Sequence, residues 1–182
     1  MHASRHRAVR ATATTVGAVA LSMALSTTPA AASCHDLVRA RGPLRDFATT
    51  VAGPFDHARG EARIERRHGG SRVTFRVRGI DRSAAGQEFG AHLHLGPCVT
   101  DNGGAALGHY NTDVIAGRTP PVIDETTEVW LDFVVTRHGK GRAVARVPFV
   151  PTAGQRSIVI HAEATNPQGA AGARLACLPV EW

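Results

Sequence analysis

Polar and apolar residues alternate through much of the chain. Glu61-Ala-Arg-Ile-Glu-Arg66 and Arg72-Val-Thr-Phe-Arg-Val-Arg78 put every second side chain on one face, as half-buried strands do, and Gly69-Gly70 between them predicts a hairpin turn. Glu128 to Val135 and Arg142 to Val147 repeat the design around Gly139-Lys140-Gly141. Further strands are predicted over 90–95, 157–162 and 174–180. Beyond the N-terminal segment no stretch carries a sustained helical stripe, so the pattern predicts an all-β fold, an antiparallel sandwich or barrel. Two longer irregular stretches, 96–127 and 163–173, interrupt the strands. Long loops in a compact β domain carry function, and the chemistry is expected there.

The first 32 residues follow another pattern. Arg5, Arg7 and Arg10 precede an apolar run from Val16 to Leu25, and Ala30-Ala31-Ala32 supplies small residues at a cleavage point, so residues 1–32 read as a signal peptide. The run is shorter than the roughly 20 residues that span a bilayer. Export follows, to the medium, the cell surface or the periplasm. Residues 33–55 are then an N-terminal extension with a first strand, and 56–182 the main domain. The remaining length suffices for one buried core.

Charge excludes one class of partner at this stage. The chain has 21 basic and 15 acidic residues, and the signal peptide holds three arginines and no acid. The exported part is therefore mildly basic. Its arginines are scattered along the sequence, Lys140 is the only lysine, and no basic stripe interleaved with aromatics is visible, so nucleic acid is not an expected partner. Cys34, Cys98 and Cys177 in an oxidising compartment predict one disulfide and one cysteine left over. Cys34, almost at the exported N-terminus, is the odd one. Ala31-Ala32-Ser33-Cys34 fits either a lipoprotein cleavage box or a free or intermolecular thiol, and membrane contact would come only through lipidation of Cys34.

Four histidines stand out. His92-Leu93-His94 lies in a predicted strand, where side chains at i and i+2 share a face, so both imidazoles can reach one metal ion. The alternative is two polar residues on a solvated face with Leu93 inward. His109 follows in the first long loop. His161 ends an apolar strand, where a structural histidine would need a buried hydrogen-bond partner.

Four segments occur in a fixed order: Gly90-Ala-His-Leu-His-Leu-Gly-Pro-Cys98, Gly108-His-Tyr-Asn111, Ile158-Val-Ile-His161 and Ala171-Gly-Ala-Arg-Leu-Ala-Cys177. In this the chain resembles the copper–zinc superoxide dismutase family from about Asp56 to its end. The resemblance implies a Greek-key β-sandwich with two long functional loops. It implies copper ligands at His92, His94, His109 and His161, a disulfide between Cys98 and Cys177, and Arg174 as the cation beside the copper. It also implies superoxide as substrate, converted to dioxygen and hydrogen peroxide. Imidazoles suit copper in both oxidation states. A fixed guanidinium attracts and orients a small anion.

The chain departs from the family where zinc would bind. Between His109 and Trp130 there is no further histidine, and zinc takes four ligands in which histidine or cysteine is prominent, so a copper-only site is expected. The second nitrogen of His109 then needs another partner. Asp113, Asp124 and Glu163 are the candidates. The segment 163–173 is also shorter than the family's steering loop, which leaves guidance mainly to Arg174. His35, His57, His68 and His138 read as surface residues, with His35 beside Cys34 able to bind copper adventitiously. The rival to an enzyme is a copper-binding or copper-delivery protein with little turnover. Arg174 and the absence of a Cys-x-x-Cys motif argue against that rival.

Overall fold

The computed structural model describes residues 36–182. Residues 1–32, expected to be a signal peptide, and Cys34 and His35 lie outside them. The strands are β1 (Asp36–Pro43), β2 (Arg45–Asp46), β3 (Arg59–Arg67), β4 (Gly70–Arg78), β5 (Glu88–Phe89), β6 (Ala91–His94), β7 (Phe133–Val134), β8 (Lys140–Val147), β9 (Gln155–His161) and β10 (Arg174–Glu181). Two antiparallel sheets stack as a sandwich, one ordered β1-β3-β4-β8 and the other β2-β10-β9-β6, with β5-β7 as a short ribbon. Among the described residues helix is confined to two 3₁₀ turns, at Arg82–Ala84 and Gly103–Ala106, and one turn of α-helix at Thr112–Ile115.

Alternation becomes burial. In β4, Val73, Phe75 and Val77 face inward while Arg76 and Arg78 face water. Leu93, Ile158, Ile160 and Leu178 come from the opposite sheet to complete the core. Phe55, Phe89 and Phe133 close one end, with Phe55 edge-on to Phe89 at 5.0 Å between ring centroids. Edge-to-face pairs of this kind are worth roughly 0.5–1.5 kcal/mol beyond their area. The chain changes sheet between β1 and β2 at Leu44, which is buried and donates its N–H to Ala58 O. Pro43, which cannot donate to a ladder, sits just before this switch on an edge strand.

The strand expected over 128–135 is largely absent as a ladder; only Phe133–Val134 is regular. Its alternation nevertheless survives. Val129, Leu131, Phe133 and Val135 are buried in the core, and Glu128, Trp130 and Asp132 point the other way. Two bonds, Leu93 N–H to Val129 O and Leu131 N–H to Ala91 O, hold this segment along the free edge of β6. The side chains at 128, 130 and 132 are engaged in the site described below, and the backbone bends to serve them instead of continuing a ladder.

A second, small cluster forms on the outer face of the β2-β10-β9-β6 sheet, beneath the 96–127 loop: Cys98, Ala106, Val159 and Cys177, with Phe47 against them. Cys98 and Cys177 are joined by a disulfide across 79 residues of sequence. It fixes the start of the loop to β10. Gly96 allows the loop to fold back, since a Cβ there would lie 2.2 Å from Ala105 O. Replacing both cysteines by serine removes a covalent constraint on the unfolded chain and should cost about 2–4 kcal/mol, read from denaturant unfolding under non-reducing conditions.

Candidate metal centre

The free edge of β6 decides where the histidines meet. On one side β6 pairs with β9, placing His92 opposite Val159 and His94 opposite Ser157. On the other side His94 bridges to His109 and His92 to Trp130. Directly opposed residues in an antiparallel pair share a face, so His92, His94 and His109 rise together on the outer face of the sheet. His161, two residues beyond Val159 on β9, joins them. One ligand nitrogen from each of the four lies within 4.8 Å of the others. His92, His94 and His161 are buried and His109 is the most accessible. The reading of His92 and His94 as a solvated pair is overturned: both are fully covered.

Each imidazole has two nitrogens, and their partners divide cleanly. His94 Nδ1 meets Leu107 O at 3.0 Å and His161 Nδ1 meets Gly172 O at 3.2 Å. His109 Nδ1 meets Glu128 Oε2 at 2.8 Å. His92 is turned over: its Nε2 meets Thr165 Oγ1 at 2.8 Å, and that hydroxyl donates to Asp132 Oδ1 at 2.7 Å. The remaining nitrogens are left to the cluster centre. His94 Nε2 and His161 Nε2 approach to 3.3 Å, and His92 Nδ1 is buried with no hydrogen-bond partner. Buried polar atoms without partners are rare in folded proteins. Here the unpartnered atom, aimed at three other imidazoles, marks a cluster that can hold a metal ion.

The electrostatics agree. Burial first, then the neighbouring His109 and His161, push His92 down to about 2 from an ordinary 6.5. His94 is likewise pushed down to about 2, chiefly by burial. Burial also lowers His161. Neutral imidazoles present lone pairs, as metal ligation requires. Glu128 stays ionised: burial would raise it, but hydrogen bonds from His109, Asn111 and Trp130 outweigh that and hold it below its ordinary value.

Glu128 corrects the sequence reading. The partner of His109 is none of the three acids expected. Asp113 binds Arg118 Nε at 2.7 Å and Val122 N at 3.0 Å, Asp124 caps the turn at Thr126 and Thr127, and Glu163 is exposed. Glu128 is only 3% exposed and also accepts from Trp130 Nε1 at 2.8 Å and Asn111 Nδ2 at 3.0 Å. The available signal was Glu128-Val-Trp130: two residues at i and i+2 on the face opposite the apolar positions. His57, His68 and His138 are exposed and stand apart from the cluster.

Arg174 reaches the same face by a backbone irregularity. It lies an odd number of positions before Cys177, so strict alternation would put the two on opposite sides of β10. A register shift between Arg174 and Ala176 pairs Arg174 with His161 while Cys177 pairs with Val159. Such bulges re-aim side chains. The guanidinium then donates from Nη1 to Gly103 O and from Nη2 to Leu107 O. Leu107 O is therefore shared with His94 Nδ1, and Leu107 itself holds φ 59° and ψ −154°, a region almost reserved for glycine.

Comparison with known proteins bears on the fold. No protein-family model matches the sequence, and no curated protein matches it. Among solved structures that do match is a double mutant of a SOD-like protein from Bacillus subtilis, with a TM-score of 0.55 and 19% identity, covering 80% of this chain and 99% of that one. The chain has a SOD-like β-sandwich fold. Within it, the cluster sits on the outer face of one sheet, between the two long loops that the sequence pattern singled out. Thr165 and Asp132 tie the 163–173 loop to β6, since Asp132 accepts from Ala91 N as well as from Thr165 N and Oγ1.

Two outcomes follow. Glu128→Gln removes the charge that holds His109 and should weaken metal binding about 10–100-fold in a competition titration, since ligand-orienting partners carry that much. In the metal-free protein, His92 and His94 bind protons in the unfolded state below about pH 6.5 but stay neutral when folded until about pH 2. Stability is therefore unaffected by them above pH 6.5 and falls as pH drops below it, by up to about 1.4 kcal/mol per pH unit for each group. Denaturant midpoints at pH 7 and pH 5, with and without His92→Gln, check this.

Proposed function

We propose that the chain is an exported copper-dependent superoxide dismutase with one copper, held by His92, His94, His109 and His161, and no zinc. The observation that carries the reading is the set of four imidazoles turned toward one point, with His92 Nδ1 left unpartnered. An all-imidazole donor set suits copper in both of its oxidation states. When bound, copper supplies the one-electron exchange by which one superoxide leaves as dioxygen and a second, with two protons, leaves as hydrogen peroxide.

The residues of the chain do the rest. Thr165, Leu107 O, Glu128 and Gly172 O each occupy the outward nitrogen of one histidine and so fix its ring. Glu128 takes the His109 nitrogen that would otherwise be free for a second metal, which supports the copper-only reading. Among the described residues no other group of three or more histidine, cysteine or acidic side chains converges in this way. Arg174, opposite His161, is the fixed cation that binds and orients superoxide, and its two carbonyl bonds hold the guanidinium still. The Cys98–Cys177 disulfide supports an oxidising compartment.

The test is superoxide decay catalysed by purified protein loaded with copper alone, zinc alone or both, with bound metal counted on the same samples. Full activity with copper alone is expected. Tight copper binding without turnover would make this a copper-binding protein. His161→Ala should lose copper and activity together. Arg174→Ala should keep copper, lower the rate about tenfold and flatten its dependence on ionic strength, because the steering charge is gone.

A further inference from the structure

The arginines that look scattered in the sequence are gathered by the sheet. In β3, β4 and β8 the outward positions alternate with the core positions, and the register lines them up across strands. Arg59, Arg78 and Lys140 form one row, and Arg41, Arg76 and Arg142 the next, with Glu61 between Arg41 and Arg76. Toward the other end, Arg72 pairs with Arg146 and Arg39 with Arg63. With Arg67, two residues beyond Glu65 on β3, eleven cations thus share one outer face with two carboxylates, Glu61 and Glu65, among the described side chains.

Those two carboxylates are occupied. Glu61 pairs with Arg39, Arg41 and Arg63, and Glu65 with Arg67 and Arg72. Among the described residues no carboxylate lies within ion-pair distance of Arg59, Arg76, Arg78, Lys140, Arg142 or Arg146, and all six are exposed. So dense a field of like charge opposes the compact state and is relieved by an anionic partner. The side chains also enclose space. The first two rows fence a groove of about 330 Å³ that crosses the strands, floored by Gly60, Val77 and Gly141.

We propose that this face of the β1-β3-β4-β8 sheet docks a flexible, linear polyanion whose charge is carried by phosphate groups. Ten of the eleven cations are arginine, whose planar fork matches phosphate oxygens two at a time. The rows lie about 7 Å apart, two residues along a strand, so successive groups of one extended chain can be met in turn. A flat bilayer surface would not enter the groove, and among the described residues Val144 is the one large hydrophobic side chain exposed on the face. Among the described residues no aromatic side chain stands there for bases to stack on, which disfavours single-stranded nucleic acid. The face is the outer side of one sheet and the histidine cluster lies on the outer side of the other, so a docked polymer leaves the cluster open. The inference is independent of the metal.

The experiment is equilibrium binding of the purified exported protein to long-chain inorganic polyphosphate between 50 and 200 mM salt, beside dextran sulfate, duplex DNA and anionic phospholipid vesicles. Polyphosphate should bind most tightly, with affinity falling steeply as salt rises. Arg76→Ser and Arg142→Ser should each flatten the logarithmic salt slope by about 0.7, and the double variant by about 1.4. Arg82→Ser, an equal loss of charge at an exposed position off this face, should leave the slope unchanged. Thermal unfolding of each variant reports whether it is folded. Binding that ignores salt, an equal response to Arg82→Ser, or tighter binding to any of the other three probes would overturn the proposal.

Discussion

Burying imidazoles side by side imposes a strict condition: two of them cannot be protonated together without mutual repulsion, and every nitrogen withdrawn from water needs a partner. The molecule meets this by dividing each ring between two tasks. One nitrogen is held by the protein, through Thr165, Leu107 O, Glu128 or Gly172 O, and the other is turned to the centre. Much of the local architecture is the means to that end. The 163–173 loop is pinned by Asp132 so that Thr165 and Gly172 reach His92 and His161. The 96–127 loop is pinned by the disulfide and by Arg174 so that Leu107 reaches His94.

The fold was legible because its strands are written in period two, whereas His109 and His161 joined the ligand set through the resemblance to the copper–zinc superoxide dismutase family. Alternation in β3, β4 and β8 needs nothing beyond neighbours in sequence, and His92 with His94 shares a face by the same rule. What could not be read depends on distant pieces of chain. Glu128 resembles the polar start of a strand until the 128–132 segment is laid along the edge of β6, where its carboxylate meets His109 and Trp130. Counting along β10 gives the wrong face for Arg174, because the bulge that corrects it is a property of pairing with β9. The arginines are dispersed in sequence, and only cross-strand register makes them neighbours.

The outcome is a molecule with two unlike outer faces. On one, Glu128 and Asp132 serve as hydrogen-bond acceptors around the histidine cluster; on the other, guanidinium groups stand in rows facing water. The proposed activity belongs to the first face and the proposed polyanion docking to the second. Separation by the thickness of the sandwich lets a tethered protein keep its reactive side exposed. The same separation makes the two proposals independent, since variants on one sheet leave the other's outer face untouched.

The proposed function requires one metal ion held by four imidazoles, with Glu128 standing where a second metal would otherwise engage His109. Electron paramagnetic resonance of the protein loaded with one equivalent of cupric ion tests it most directly. A tetragonal signal with hyperfine structure from four nitrogens, unchanged when zinc is added, is expected. A signal with fewer nitrogens, or one that zinc reshapes, would contradict it.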